Sequence, residues 1–203
     1  MPRPIRGVLP VVQTPFTKSD EIDFVALRRQ VDWAFDQGAE GVGTGMVSEV
    51  SKFTSRERSE MTHKLPEFAN GRGAVYVSVG AESTKQAVLN AQEAATAGCD
   101  AVMAIPPMTT AVMPTHLTDY FSAIAESMDL PLIVQDASGY VGQAIPFSVY
   151  RSLLERFGPE KILFKPEAAP IGSSLSELRD STQEAGWKVQ IFEGSGGIFL
   201  VDS

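Results

Sequence analysis

The sequence predicts an α/β fold: a parallel TIM-type (β/α)8 barrel, incomplete because its last βα unit is missing. Three observations carry that expectation. Short apolar runs rich in β-branched residues alternate with amphipathic segments of helical period along the chain. Glycines 38, 98, 158 and 186 each stand between a helix and the strand after it, so a βα unit recurs without linkers. No glycine-rich dinucleotide loop follows the first apolar run, which weighs against an open doubly wound sheet. A complete barrel takes about 250 residues, and the 203 present hold roughly seven strands in one domain, 1–203, that ends short.

Gly7 to Val12 reads as the first strand. After a polar turn at Lys18-Ser19-Asp20, Phe24, Leu27, Val31, Ala34 and Phe35 recur at helical spacing, with Asp23 as cap and Gly38 as stop. Gly41 to Thr44 is the second strand, followed by the loop Gly45-Met46-Val47-Ser48-Glu49. Thr54-Ser55-Arg56-Glu57 then opens a helix as a capping box. Val75 to Val79 is the third strand, Ser83 with Gln86 caps an alanine-rich helix that stops at Gly98, and Ala101 to Ile105 is the fourth strand. Beyond Pro106-Pro107 come a helix over 115–127, a strand from Leu132 to Gln135 and a helix from Pro146 to Phe157. Ile162 to Lys165 forms the sixth strand. Ser174-Leu175-Ser176-Glu177 caps the sixth helix, Gly186 closes it, and Val189 to Phe192 is the seventh strand.

A composition 43% hydrophobic and 21% charged suits a globular domain with a sizeable core. The net charge of -8 argues against the clustered basic surface that nucleic acid or an anionic membrane requires, so the expected partner is a small molecule. No stretch is long and apolar enough for a membrane span. The single cysteine, Cys99, forms no internal disulfide and reads as a small buried thiol. Residues 1–13 lack a signal-peptide core, so a cytoplasmic setting is expected. His63 and His116 sit on helices without metal-ligand spacing, and no metal is expected.

The run Ile162-Leu163-Phe164-Lys165-Pro166-Glu167 ends an apolar strand on an amine. Burial of an amine favours its neutral, nucleophilic form; a snorkelling rim lysine is the bland alternative. Glu167 lies two residues on, so a persisting strand geometry turns it to the side of Lys165. Gly194-Ser195-Gly196-Gly197 has the composition of a phosphate cradle.

Together with Pro10 to Phe16, Gly45 to Thr54, Leu130 to Gly142 and Glu193 to Leu200, that run resembles the dihydrodipicolinate synthase and N-acetylneuraminate lyase family. The resemblance implies a TIM barrel that forms a Schiff base with a 2-oxo acid and needs no cofactor. Lys165 matches the Schiff-base lysine. Gly45-Met46-Val47-Ser48-Glu49 replaces the family's Gly-Thr-Thr-Gly-Glu loop, so the amides of Met46 and Val47 can still hold a carboxylate while a relay hydroxyl is lost; Ser48 belongs to the same binding loop. The catalytic tyrosine falls on Gln135, which cannot shuttle protons as a phenol does. The arginine for a second carboxylate falls near Tyr140, and the tyrosine lent by a neighbouring subunit falls near Pro107 or Met108. Gly194 matches a substrate-facing segment.

These replacements argue against the synthase reaction itself. The Lys-x-Glu pair with Val134-Gln135-Asp136 looks like the branch that dehydrates 2-oxo-3-deoxy sugar acids, with Lys165, Glu167 and Gln135 as catalytic residues. The expected function is therefore a lysine-dependent lyase, aldolase or dehydratase. The alternative is a catalytically impaired or vestigial binding protein of the same fold; a nicotinamide enzyme lacks its nucleotide loop. The chain stops on Ile198-Phe199-Leu200-Val201 before an eighth strand, which would leave sheet edges unpaired and favour a homo-oligomer.

Overall fold

The computed structural model describes residues 2–140, 142–168 and 170–199; Leu200 and Val201 of the apolar stop lie outside the described residues. Strands and helices alternate: α1 (Phe24–Asp36), β1 (Gly41–Gly43), α2 (Ser55–Ala69), β2 (Ala74–Ser78), α3 (Thr84–Thr96), β3 (Ala101–Ala104), α4 (Pro114–Glu126), β4 (Leu132–Asp136), α5 (Phe147–Phe157), β5 (Ile162–Pro166) and α6 (Ile171–Glu184). Strand order in the sheet is chain order, β1-β2-β3-β4-β5. That is the order of a barrel wound from βα repeats, without the reversal at the switch point of a doubly wound sheet. The chain forms two compact units, one of residues 1–79 with 89–103, the other of residues 80–88 with the chain from Ala104 on.

In the first unit β1 pairs with β2 and β2 with β3, all parallel, with Val42 opposite Val75 and Val77 opposite Val102. These strands are buried almost throughout, as a parallel sheet covered on both faces requires. Leu27 and Val31 of α1 and Met61 and Leu65 of α2 are buried at helical spacing. The Asp23 carboxylate accepts the Ala26 N–H at 2.9 Å. Thr54 and Glu57 cap α2 reciprocally, with Glu57 N–H donating to Thr54 Oγ1 at 3.2 Å and Thr54 N–H to Glu57 Oε2 at 2.8 Å. The expected first strand is reduced to a bridge between Val11 and Gly43. Val12 N–H donates to Gly43 O at 2.9 Å and Gly43 N–H to Pro10 O at 3.0 Å. Pro10 has no N–H to extend the ladder, and Gly7 turns the chain at φ 76°.

In the second unit β4 and β5 pair in parallel over their full lengths, from Leu132 opposite Ile162 to Asp136 opposite Pro166. α4 packs on α5, and Leu117, Phe121, Ile124, Leu132, Leu153, Ile162 and Phe164 are fully buried. The expected seventh strand is again a bridge, Phe164 to Ile191, made by Phe164 N–H to Gln190 O at 3.0 Å and Phe192 N–H to Phe164 O at 2.8 Å. Residues 187–192 are at most half-buried, so little apolar burial is available to extend that pairing. α6 begins at Ile171, with Pro170 as its N-cap, rather than at the capping signal on Ser174. Ser174 instead lies inside the helix and its hydroxyl donates back to Pro170 O at 3.0 Å.

Cys99, 4% exposed, sits between α3 and β3 with its thiol directed at Thr62 O. Burial first, and the Asp100 carboxylate second, push this thiol up to about 12. A raised thiol pKa means stability that is whole below the unfolded value of about 8.5 and is lost as pH climbs through the folded value. Cys99 is therefore expected to resist Ellman's reagent at pH 8 in the native state and to react on unfolding. Stability measured in urea should fall above pH 9, and Cys99→Ala should flatten that fall.

Candidate active site

Side-chain alternation along β5 sorts its residues between two faces. Phe164 stacks edge-on against Tyr150 of α5, ring centroids 5.0 Å apart, so Phe164 faces the helices. Lys165 is turned to the opposite face. It lies at the C-terminal end of β5, where barrel proteins gather their functional groups. Its register partner on β4 is Gln135, which emerges on the same face.

Glu167, one residue past the strand, keeps the period of two. Its carboxylate pairs with Lys165, Nζ to Oε2 at 2.8 Å, with the side chains 13% and 4% exposed. Gln135 is 4% exposed and its Nε2 donates to the same Oε2. The other carboxylate oxygen abuts Gly194, where an added Cβ would collide with it. The backbone of Glu167 is pinned too: its N–H donates to Asp136 O at 2.7 Å, and its carbonyl accepts Gly139 N–H at 3.1 Å. Sequence spacing thus brings Lys165 and Glu167 together as expected, and folding adds Gln135 and Gly194.

Asp136 is a residue that sequence reasoning passed over. It is 2% exposed, and its two carboxylate oxygens accept Ser138 N–H at 2.9 Å and Ile145 N–H at 2.7 Å, tying down both ends of the loop that carries Tyr140. The Asp-x-Ser spacing of an Asx turn was the available signal. Tyr140 itself is 60% exposed, its N–H donating to Ala137 O at 2.8 Å. Tyr150 does not replace the missing relay phenol: it lies on the helix face, and burial first and Asp136 second push its ionisation far up.

In the first unit, Met46, Val47 and Ser48 form a 3-10 turn, and the opening N–H groups of such a turn lack partners within it. Ser48 is fully buried; its hydroxyl donates to Val12 O and accepts Gly45 N–H at 3.1 Å. That hydroxyl is engaged in holding the loop. The glycine-rich segment is likewise filled from within, since the Glu193 carboxylate accepts Ser195 N–H at 2.6 Å and also Gly197 N–H. A phosphate would have to displace it. His63 and His116 are exposed, and among the described residues no three His, Cys, Asp or Glu side chains are placed to hold a metal ion.

Parallel strands paired in chain order and alternating with helices define a class, the TIM (β/α) barrels. Residues 4–194 match the dihydrodipicolinate synthetase family, and the chain belongs to that family. A probable 2-dehydro-3-deoxy-D-pentonate aldolase of Escherichia coli (strain K12) is 33% identical over 153 residues, 73% of this chain and 50% of that protein. The 4-hydroxy-tetrahydrodipicolinate synthase of Methanosarcina acetivorans is 30% identical over 195 residues, 96% of this chain and 65% of that protein. A crystal structure of chloride-inhibited dihydrodipicolinate synthase from Acinetobacter baumannii complexed with pyruvate superposes with a TM-score of 0.83 at 25% identity, covering 94% of this chain and 64% of that one. The chain thus spans half to just under two thirds of the length of these relatives.

The contact at Gly194 yields a measurable consequence. Gly194→Ala places a methyl group against the Glu167 carboxylate, so the strap of residues 193–197 that carries Gly194, or the carboxylate itself, must move, at a cost of about 1–3 kcal/mol. Urea unfolding should show that loss; an unchanged midpoint would mean the strap yields freely.

Proposed function

We propose that the chain acts as a lyase on a 2-oxo acid, through a Schiff base on Lys165. The observation that carries this reading is the buried Lys165–Glu167 pair at 2.8 Å. An amine whose proton can pass to an adjacent carboxylate attacks a carbonyl without help from solvent. Lys165 Nζ adds to C2 of the 2-oxo acid, water leaves, and the imine accepts the electron pair released at C3. In aldol cleavage the C4 hydroxyl proton passes to Glu167, the C3–C4 bond breaks to an aldehyde and an enamine, and C3 then takes up a proton. Hydrolysis releases pyruvate and restores Lys165. In dehydration a C3 proton passes to Glu167 instead, its bonding pair forms the enamine, and the enamine expels the C4 hydroxyl, which leaves as water with the proton that Glu167 returns.

The substrate class is a 2-oxo-3-deoxy sugar acid, a reading supported by the pentonate aldolase named among the relatives, by the pyruvate complex of the Acinetobacter baumannii enzyme, and by a glutamine in place of the relay tyrosine. In the second unit Tyr140 and Gly194 are assigned to the distal end of the substrate; in the first unit the amides of Met46 and Val47, in the loop that Ser48 shapes, are assigned to holding a carboxylate. The engaged, buried carboxylate beside Lys165 favours a working site over a vestigial one. Residues 1–203 belong to one barrel domain, in a cytoplasmic setting where Cys99 stays reduced. No helix among the described residues is long and apolar enough to cross a membrane.

Incubation with pyruvate and borohydride should fix a reduced adduct on Lys165 alone, read by peptide mass spectrometry. Lys165→Ala should abolish it. Glu167→Gln should leave an adduct and lower turnover of a 2-oxo-3-deoxy sugar acid by about 10²-fold or more, the usual worth of a general acid–base. No adduct on a folded sample would sink the Schiff-base reading. Homo-oligomer formation is part of the proposal, supported by the large apolar side chains Val25 and Trp33, 68% and 64% exposed on α1. Light scattering should report a mass above that of the 21.9 kDa chain, and a monomer at all concentrations would contradict it.

A further inference from the structure

We propose that Gln135 is a positioning residue that acts through Glu167, holding one carboxylate oxygen at the Lys165 amine, rather than a group that touches substrate. This rests on the Schiff-base reading above. Two donors converge on Oε2 of Glu167: Lys165 Nζ at 2.8 Å and the carboxamide Nε2 of Gln135. The remaining oxygen is walled off by Gly194. With the backbone N–H fixed on Asp136 O and the carbonyl on Gly139 N–H, the carboxylate has one orientation left.

Gln135 is fitted to that task by register and chemistry. Parallel pairing sets it directly beside Lys165, on the same face, at 4% exposure. A carboxamide donates a hydrogen bond and takes no part in proton transfer, so it restrains a base without competing for its proton. Without that donor, Oε2 would keep a single partner inside a buried site and the side chain would gain freedom to turn away. The position that resembles the family's relay tyrosine therefore serves here to hold the carboxylate that moves the protons.

The proton step can be isolated with pyruvate as the probe. Once the imine has formed on Lys165, a C3 proton passes to Oε2 of Glu167 and its bonding pair becomes the C2–C3 double bond of the enamine. The reverse step in D2O returns a deuteron to C3, so exchange of the pyruvate methyl signal, followed by NMR, reports proton transfer. Borohydride trapping reports imine formation separately.

Gln135→Met, similar in size without the donor, should still fix pyruvate on Lys165 once incubation has reached its plateau, and slow methyl exchange roughly tenfold or more. Gln135→Glu, which keeps the shape and turns the donor toward an acceptor, should slow exchange at least as much. In a Glu167→Gln background, Gln135→Met should cost nothing further, because the two changes remove one shared function. Multiplying losses in the double variant would show that Gln135 acts on its own and overturn the inference. So would normal exchange in Gln135→Met, or normal exchange in Gln135→Glu where the Met variant does not fold. Absence of any adduct on the unmodified chain is a different failure, which overturns the Schiff-base reading and this inference with it.

Discussion

The buried pairing of Lys165 with Glu167 is the constraint around which the second unit is arranged. Two opposite charges taken out of water lose hydration worth several kcal/mol each and recover it only with good geometry and full hydrogen bonding. The chain meets that demand locally. The strand period sets the two side chains on one face, β4 supplies the Gln135 carboxamide, and the backbone of Glu167 is held by Asp136 and Gly139. Deleting either partner would leave the other charge uncompensated, at a cost to stability.

Proton flow through such a pair is economical. Transfer from Nζ to Oε2 converts two charged groups to two neutral ones without any net change inside the site. A low-dielectric setting that penalises isolated ions tolerates this exchange. In the proposed reaction one carboxylate serves the amine while it attacks and the carbon skeleton while it reacts, which suits a site whose tyrosine position is occupied by a glutamine.

The parts legible in the sequence were those set by short-range periodicity. Helix spans from Phe24, Leu27 and Val31, the capping box of Thr54 and Glu57, and the shared face of Lys165 and Glu167 all follow from spacings of two to four residues. Pairings across longer separations were not legible from spacing, and only the family resemblance placed Gln135 and Gly194 in the site with Lys165. That Gln135 stands beside Lys165 depends on the register of two strands 30 positions apart, and that Gly194 touches Glu167 depends on how a strap after a single bridge is laid down. Local signals also misled: Ser174-Leu175-Ser176-Glu177 has the pattern of a cap, yet Pro170 starts α6 earlier, and Gly7 to Val12 has strand composition with a proline where a donor was needed.

The two-faced character of β5 also bears on how the chain avoids wrong structures. A slip of one residue against β4 would exchange the places of Phe164 and Lys165, lodging an ammonium group among the helices against Tyr150 and a benzyl ring in the pocket. Both errors are costly and neither offsets the other. The same alternation that presents the amine for chemistry therefore acts as a proofreading device during assembly, since the sheet can close with its apolar layer intact in one alignment only.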